Sequence, residues 1–241
     1  MTFESKYIIV MVISINTNIR GVFMDNITRR NNGMAYISDK SVMEQQKKAR
    51  ELTQKLNTMD RSDFEGLQSV VKKLLGKSEN AWINPPFYCD YGFNIEVGKN
   101  LFTNYNCTIL DVAKVKIGDN VLIGPNVSIY TAGHPIHADT RKTGYEYGAP
   151  ITIGDNVWIG GNSIILPGIM VGSNSVIAAG SVVTKDVPEW TVVAGNPARV
   201  IKKITDEDKQ YYFKDKKFDD ESMAHIENII SQDELPNSFN Q

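Results

Sequence analysis

From Ile117 to Val183 an aliphatic residue recurs at every sixth position, on both sides of a single interruption. The series runs Ile117, Ile123, Ile129, Ile153, Ile159, Ile165, Val171, Ile177 and Val183, with glycine following at 118, 124, 154, 160 and 172. Neither an α-helix nor an alternating strand repeats with a period of six. A coil stacked on itself does: each short straight side sends one aliphatic residue inward and then turns at a small residue. The fold class this predicts is mainly β, a parallel β-helix of hexapeptide repeats. Ile129 and Ile153 are four hexads apart, so residues 130–150 leave the wall as an extruded loop and return near where they began.

The flanks divide the chain. Tyr7 to Ile15 is an apolar run, too short to span a bilayer and followed by no A-x-A-like cleavage site. With the turn-rich stretch after it, residues 1–33 read as a leader or flexible arm. Residues 34–80 read as a helical pair. Ser38 caps a first helix with an apolar stripe at Val42, Met43, Ala49, Leu52 and Leu56. Ser62-Asp63 caps a second, with Phe64, Leu67, Val70, Val71, Leu74 and Leu75 on its buried face and Gly76 as its stop. Such a pair cannot bury its stripes alone and is expected on the open end of the coil, over its unpaired edge. The coil occupies 81–205. Ile95 to Asn100 is a hexad out of phase with the later series, Leu101 to Ala113 is a less regular turn, and Val192 to Ile201 is an extended closing segment. Residues 206–241 read as a mobile tail or loose helix.

The net charge of −2, with Lys and Arg spread along the chain, leaves no basic surface for nucleic acid or anionic lipid. Cys89 and Cys107 lack metal-like spacing, which predicts two small buried side chains in a reduced cytoplasmic protein without a metal site.

Several segments taken together carry a resemblance. They are Asn104 to Asp111 (NYNCTILD), Thr131 to Pro135 (TAGHP), Pro150 to Gly161 (PITIGDNVWIGG) and Gly195 to Ile201 (GNPARVI), along with the hexads themselves. From about Met34 to Lys217 the chain resembles the maltose and galactoside O-acetyltransferases among the hexapeptide-repeat acyltransferases. The resemblance implies a left-handed coil, acetyl-CoA as co-substrate, a sugar acceptor and a homotrimer. Two positions depart from that pattern: Gln46 stands where family members commonly carry an arginine, and Val112 where galactoside-type enzymes have a second acidic residue.

Acetyl transfer from a thioester to a hydroxyl needs a base with a pKa near neutral, and histidine supplies one unperturbed. Of the three histidines, His225 lies in the tail and His137 inside the loop, while His134 stands at the loop's root. Its Gly-His-Pro setting is similar to that of the family's base. The resemblance implies Asn104 as the donor that stabilises the oxyanion and also meets the acceptor. Glu146, just before the loop's return, either orients His134 or sits on a solvated loop. Asp90 and Asp111 align at or beside acceptor positions and are expected to touch the sugar or the shell around it. No serine or cysteine is paired with a base, so direct transfer is expected rather than an acetyl-enzyme.

For the cofactor, Gly161, Ala178, Ala179 and Gly180 permit close approach to the coil backbone. Thr184 and Lys185, with Arg199 and either Lys202 or Lys203, are the expected phosphate contacts. Trp158 is too large for the interior and walls either the pantetheine groove or a subunit contact. Three competing readings remain. One is another hexapeptide acetyltransferase, with an antibiotic or serine as acceptor. Another is a zinc enzyme on the same coil, which needs three histidine ligands from adjacent coils where this chain offers only His134 and His137 near one another. The last is a non-catalytic scaffold.

Overall fold

All nine aliphatic residues of the series are buried, as the inward sides of stacked coils must be. The computed structural model describes residues 24–231. Each coil has three short sides, and the sides stack into three parallel sheets. The first wall holds Ile95–Val97, Val115–Ile117, Ile151–Ile153 and Met170–Val171. A second wall runs from Trp82–Ile83 through Phe102–Thr103, Leu122–Ile123, Trp158–Ile159 and Val176–Ile177 to Thr191–Gly195, and Ala198–Lys203 folds back antiparallel at its end. The third comprises Phe87–Cys89, Cys107–Leu110, Ser128–Tyr130, Ile164–Ile165 and Val182–Val183.

Register explains the broken phase. On the second wall Trp82 pairs with Phe102, Phe102 with Leu122, Leu122 with Trp158, Trp158 with Val176 and Val176 with Val192, steps of 20, 20, 36, 18 and 16 residues. Ile95–Val97 is therefore in full register with Val115–Ile117 despite being out of phase in sequence. The irregular stretch 101–113 contains two regular sides, and its surplus residues fall at the corner between the third and first walls. The same corner of the next coil releases the loop. Ala132–Gly133 pairs antiparallel with Tyr145–Gly148, a short helix spans Ala138–Arg141, and the Ala149 N–H returns to the Thr131 carbonyl at 2.8 Å. Val192 and Val193 pair with the wall and Val193 is buried, so the expected closing segment begins as one more side of the coil.

The turns differ from expectation in a telling way. Most left-handed residues at two of the corners are asparagines: Asn100, Asn120, Asn156 and Asn174 at one, and Asn106, Asn126 and Asn162 at the other, with φ between 56° and 60°, while Trp190 and Gly180 take those places in the last coil. Asparagine tolerates this region. The first set is also stitched together by amide hydrogen bonds of 2.9–3.0 Å, from Asn100 through Asn120 and Asn156 to Asn174. The glycines of the hexads serve stacking instead. A Cβ on Gly118 would lie 2.1 Å from Asp155 Oδ1 and 2.8 Å from the Gly154 carbonyl carbon, so the coils can approach only where it is absent.

At the N-terminal end, helix α1 (Asn26–Asn31) is capped by Asp25, whose Oδ1 accepts from the Thr28 N–H at 2.8 Å. Arg30 is buried and its guanidinium lies 4.4 Å from the Tyr91 ring centroid. The reading of 1–33 as an arm is thus corrected from residue 24 onward; the apolar run Tyr7–Ile15 lies outside the described residues. Helix α2 (Lys40–Thr58) is capped by Asp39, not Ser38, because the Asp39 carboxylate reaches the N–H groups of Ser41 and Val42. Met43 faces solvent, and Thr53 joins Val42, Ala49 and Leu56 on the buried side. In α3 (Phe64–Leu74), capped by Asp63, Phe64 is exposed and meets Trp82 edge-on at 5.3 Å. Both helices bury their stripes against the first coil, in one core with Ala81, Ile83, Phe87 and Ile95. Asn57 closes the open edge: its side chain donates to the Phe87 carbonyl at 2.9 Å and accepts from the Phe87 N–H at 2.8 Å. Gly76 lies one residue past the cap Leu75, and a Cβ there would strike the Phe93 carbonyl oxygen at 2.1 Å.

Beyond the coil, Tyr211–Phe213 and Lys216–Lys217 form a hairpin, and a helix over Asp220–Ser231 has no buried residue. The tail expected from 206 is therefore regular as far as the structure describes it.

Candidate functional site

The surplus residues of three successive coils stack at one corner, and four of the residues expected from sequence, Asp90, Asp111, His134 and Glu146, lie at it or at the root of the loop it releases. Tyr91, Asp111 and Thr131 follow the third wall at equivalent levels, set by the pairing of Cys89 with Ile109 and Leu110 with Tyr130. His134 comes one residue after Gly133, which pairs with Tyr147, so continuing that register leads from His134 to Glu146. Glu146 in turn pairs with Tyr36 on its other side. Gly133 leaves room for the Tyr147 ring, whose far end lies 2.4 Å from where a Cβ would be. Thr131 ties the root of the loop: its hydroxyl donates to the Leu110 carbonyl at 2.7 Å and accepts from the Ala113 N–H at 2.9 Å.

His134 is exposed, and among the described residues its ring makes no hydrogen bond. Glu146 is half-buried and is held by the buried Tyr36, whose hydroxyl donates to it. Burial, then the Glu146 charge, pushes the Tyr36 phenol far above its usual range. Asp90 is half-buried and raised by burial first and by Glu146 second, with Arg50 opposing. Asp111 has no exposed surface; its Oδ1 accepts from the N–H groups of Asp90 and Tyr91, both at 2.9 Å, while Oδ2 is enclosed without a partner among the described residues. Of the two acidic residues expected near the acceptor, Asp90 is therefore accessible and Asp111 belongs to the shell behind it. The sequence signals for Tyr36 were weak, since its partner Glu146 is 110 residues away and no local pattern pairs them.

Burial pushes Asp111 up to about 6 despite the two N–H bonds that act against it. The folded chain therefore holds this proton more tightly than the unfolded chain. The stability this contributes is complete below the ordinary carboxylate range and is lost as pH rises through 6. Asp111→Asn, neutral throughout, should gain on the natural chain by on the order of 3 kcal/mol between pH 4 and pH 8. Denaturant melts across that range test this, and a pH-independent difference between the two would contradict it.

Along the outer face of the second wall runs a groove of about 680 Å³. Asn104, Trp158, Gly161, Ala178 and Ala179 all line it, and Trp158 is 55% exposed. The coils pack closely beneath: a Cβ on Gly160 would lie 2.5 Å from the Ala179 nitrogen, and one on Gly124 2.6 Å from the Gly161 nitrogen. Asn104 spends its Oδ1 on the Tyr105 N–H at 2.7 Å, which leaves its amide N–H groups for a ligand. Arg199 and Lys202 lie on the strand that ends this wall; Arg199 is exposed, and Lys202 is paired with Asp208. Thr184 and Lys185 are exposed but follow Val182–Val183 of the third wall, so a single chain does not bring them to the groove. His137 caps the loop helix, its Nδ1 accepting from the Asp139 N–H at 3.2 Å.

The hexapeptide repeat of succinyl-transferase matches residues 114–136 and 150–185. A galactoside O-acetyltransferase of Escherichia coli (strain K12) is 50% identical over 175 residues, covering 72% of this chain and 86% of that protein. The chain belongs to the galactoside and maltose O-acetyltransferase family. Among solved structures, a galactoside acetyltransferase in complex with coenzyme A superposes with a TM-score of 0.79 at 45% identity, over 81% of this chain and 99% of that one. A maltose O-acetyltransferase from Clostridium difficile 630 gives 0.74 at 47% identity, over 76% and 99%. The likeness to both extends over nearly the whole of those chains, which a shared repeat alone would not produce. No helix of the described residues is long and apolar enough to cross a membrane.

Proposed function

We propose that this protein transfers the acetyl group of acetyl-CoA directly to a sugar hydroxyl. The observation that carries the reading is a groove floored by small residues on the second wall together with His134, Glu146 and Asp90 at the opposite corner, which a neighbouring copy would bring to the groove as it would Lys185. Its relatives include galactoside and maltose O-acetyltransferases, one of them solved with coenzyme A. In the proposed reaction the acceptor oxygen attacks the thioester carbonyl while His134 takes the hydroxyl proton. The Asn104 amide donates to the oxyanion as it forms. Collapse breaks the carbon–sulfur bond, and the proton on His134 passes to the departing thiolate, giving an O-acetyl sugar and free coenzyme A. Asp90 receives an acceptor hydroxyl. The state of the thiols supports direct transfer over an acetyl-enzyme: burial, then Asp111 and Asp90, pushes Cys89 far up, and burial raises Cys107 to about 11.

The pantetheine arm lies along Trp158, Gly161, Ala178 and Ala179, with the phosphates at Arg199 and Lys185. Lys185 stands on another wall from the groove, which fits a cyclic trimer in which a neighbouring copy supplies Thr184 and Lys185 to each site. Lys202 contributes once released from Asp208. These contacts are far from the reacting carbonyl and similar in ground and transition states, so Lys185→Ala and Arg199→Ala should raise the KM for acetyl-CoA about tenfold with little change in kcat. Folded variants with unaltered KM, in a protein that sediments as a trimer, would place the phosphates elsewhere. Activity from a monomer would remove the shared site.

A further inference from the structure

A carboxylate sealed in the corner is an expensive way to close a turn, and the next coil shows that the fold does not require one. Thr131 occupies the level of Asp111 one coil on, by the pairing of Leu110 with Tyr130. There a neutral hydroxyl closes the corner with its donor and acceptor both used. Asp111 instead leaves Oδ2 enclosed and unpartnered, which is unfavourable for any buried polar group. What the carboxylate supplies that threonine does not is one oxygen accepting from two successive N–H groups, those of Asp90 and Tyr91 at 2.9 Å each. Two bonds converging on one atom fix both peptide planes. The Asp111 backbone is fixed in turn, its carbonyl accepting from Asn94 Nδ2 at 2.7 Å.

We propose that Asp111 is a positioning residue: its carboxylate clasps the Asp90–Tyr91 backbone and so presents the Asp90 side chain towards Glu146 at the root of the loop. Tyr91 is the second thing the clasp holds. It is buried with Tyr36, Val42 and Val112, and Tyr36 is the residue that holds Glu146. Both carboxylates of the corner are thus set by one buried group that never meets the acceptor. The inference rests on the reading that Asp90 receives the acceptor.

The test compares Asp111→Thr, Asp111→Asn and Asp90→Asn, and adds the Asp90→Asn, Asp111→Thr double variant. Asp111→Thr copies the neighbouring rung and keeps the corner closed, but holds the Asp90–Tyr91 backbone less firmly. Small misplacement of a substrate contact is costly, so the acceptor KM should rise about tenfold or more while the KM for acetyl-CoA stays within about twofold. Asp111→Asn, which retains Oδ1, should fall between the natural chain and Asp111→Thr. In the double variant the threonine should add nothing to the loss from Asp90→Asn, because both act through one side chain. An acceptor KM unchanged by Asp111→Thr, an equal rise in both KM values, or additive losses would each overturn the proposal. If Asp111→Thr fails to fold, Asp111→Asn decides by the same split between the two KM values. Absence of transfer by the natural chain to any hydroxyl acceptor would instead remove the reading of the function, and this inference with it.

Discussion

Replacing His134 by alanine is expected to lower kcat by about 10²- to 10⁴-fold, the usual worth of a general base, while leaving the affinity for acetyl-CoA nearly unchanged. The base acts only as the acceptor oxygen attacks, so its loss falls on the transition state. The groove proposed for the cofactor is built from other residues. His134 is placed by the hairpin and not by hydrogen bonds of its own ring: Gly133 lies under Tyr147, and Thr131 ties the loop to both ends of the corner of the preceding coil. Its removal should therefore leave the fold intact. His137→Ala serves as the comparison, since that exposed residue only caps a four-residue helix and should cost little turnover. Near-natural kcat in His134→Ala, or an equal loss in His137→Ala, would take the base away from His134.

The second large effect concerns the coil. Gly160→Val should destabilise the protein by about 3 kcal/mol, towards the upper end for overpacking, and abolish binding of coenzyme A with it. The atoms in the way are backbone: the Ala179 nitrogen at 2.5 Å, its Cα at 2.9 Å and the Ile177 carbonyl oxygen at 2.9 Å. No rotamer relieves such a clash, so the two coils that floor the groove must separate. Gly180→Ala is the informative contrast. That glycine has φ +74° and nothing within 4 Å of a Cβ, so only the backbone penalty applies, about 1 to 2 kcal/mol. If the two variants melt alike and both bind coenzyme A, close stacking is not what the hexad glycines provide.

The coil was legible in sequence because an interior one residue wide demands an aliphatic side chain at each side, whatever the corners do. The groove followed from it, since Trp158, Gly161, Ala178 and Ala179 occupy fixed places relative to the inward Ile159 and Ile177. The corner between the third and first walls was much less legible. Its surplus residues break the period, so Ile95 seemed out of phase when it is in register with Val115. The turn residues were misassigned for a physical reason: Gly118 and its equivalents are small because the coil beneath is close, while asparagines two residues further adopt the left-handed turn. Asp111 and Tyr36 owe their roles to partners 20 and 110 residues away, and no local propensity encodes such distances. Asp39 displaced Ser38 as a cap because both residue types serve there, and a shift of one position lies within the ambiguity of a capping signal.

The most direct test of the proposed chemistry is thiol release from acetyl-CoA by the natural chain, measured against a panel of acceptors: maltose, galactosides, glucose, serine and hydroxyl-bearing antibiotics. Coenzyme A should appear at a rate that depends on sugar concentration and saturates with it, matched mole for mole by O-acetyl sugar, and without a burst of acetylated protein. Thiol release confined to serine or an antibiotic would transfer the same machinery to another acceptor class. No acceptor-dependent release at all, from a protein whose groove binds coenzyme A, would contradict the account and leave the coil a scaffold.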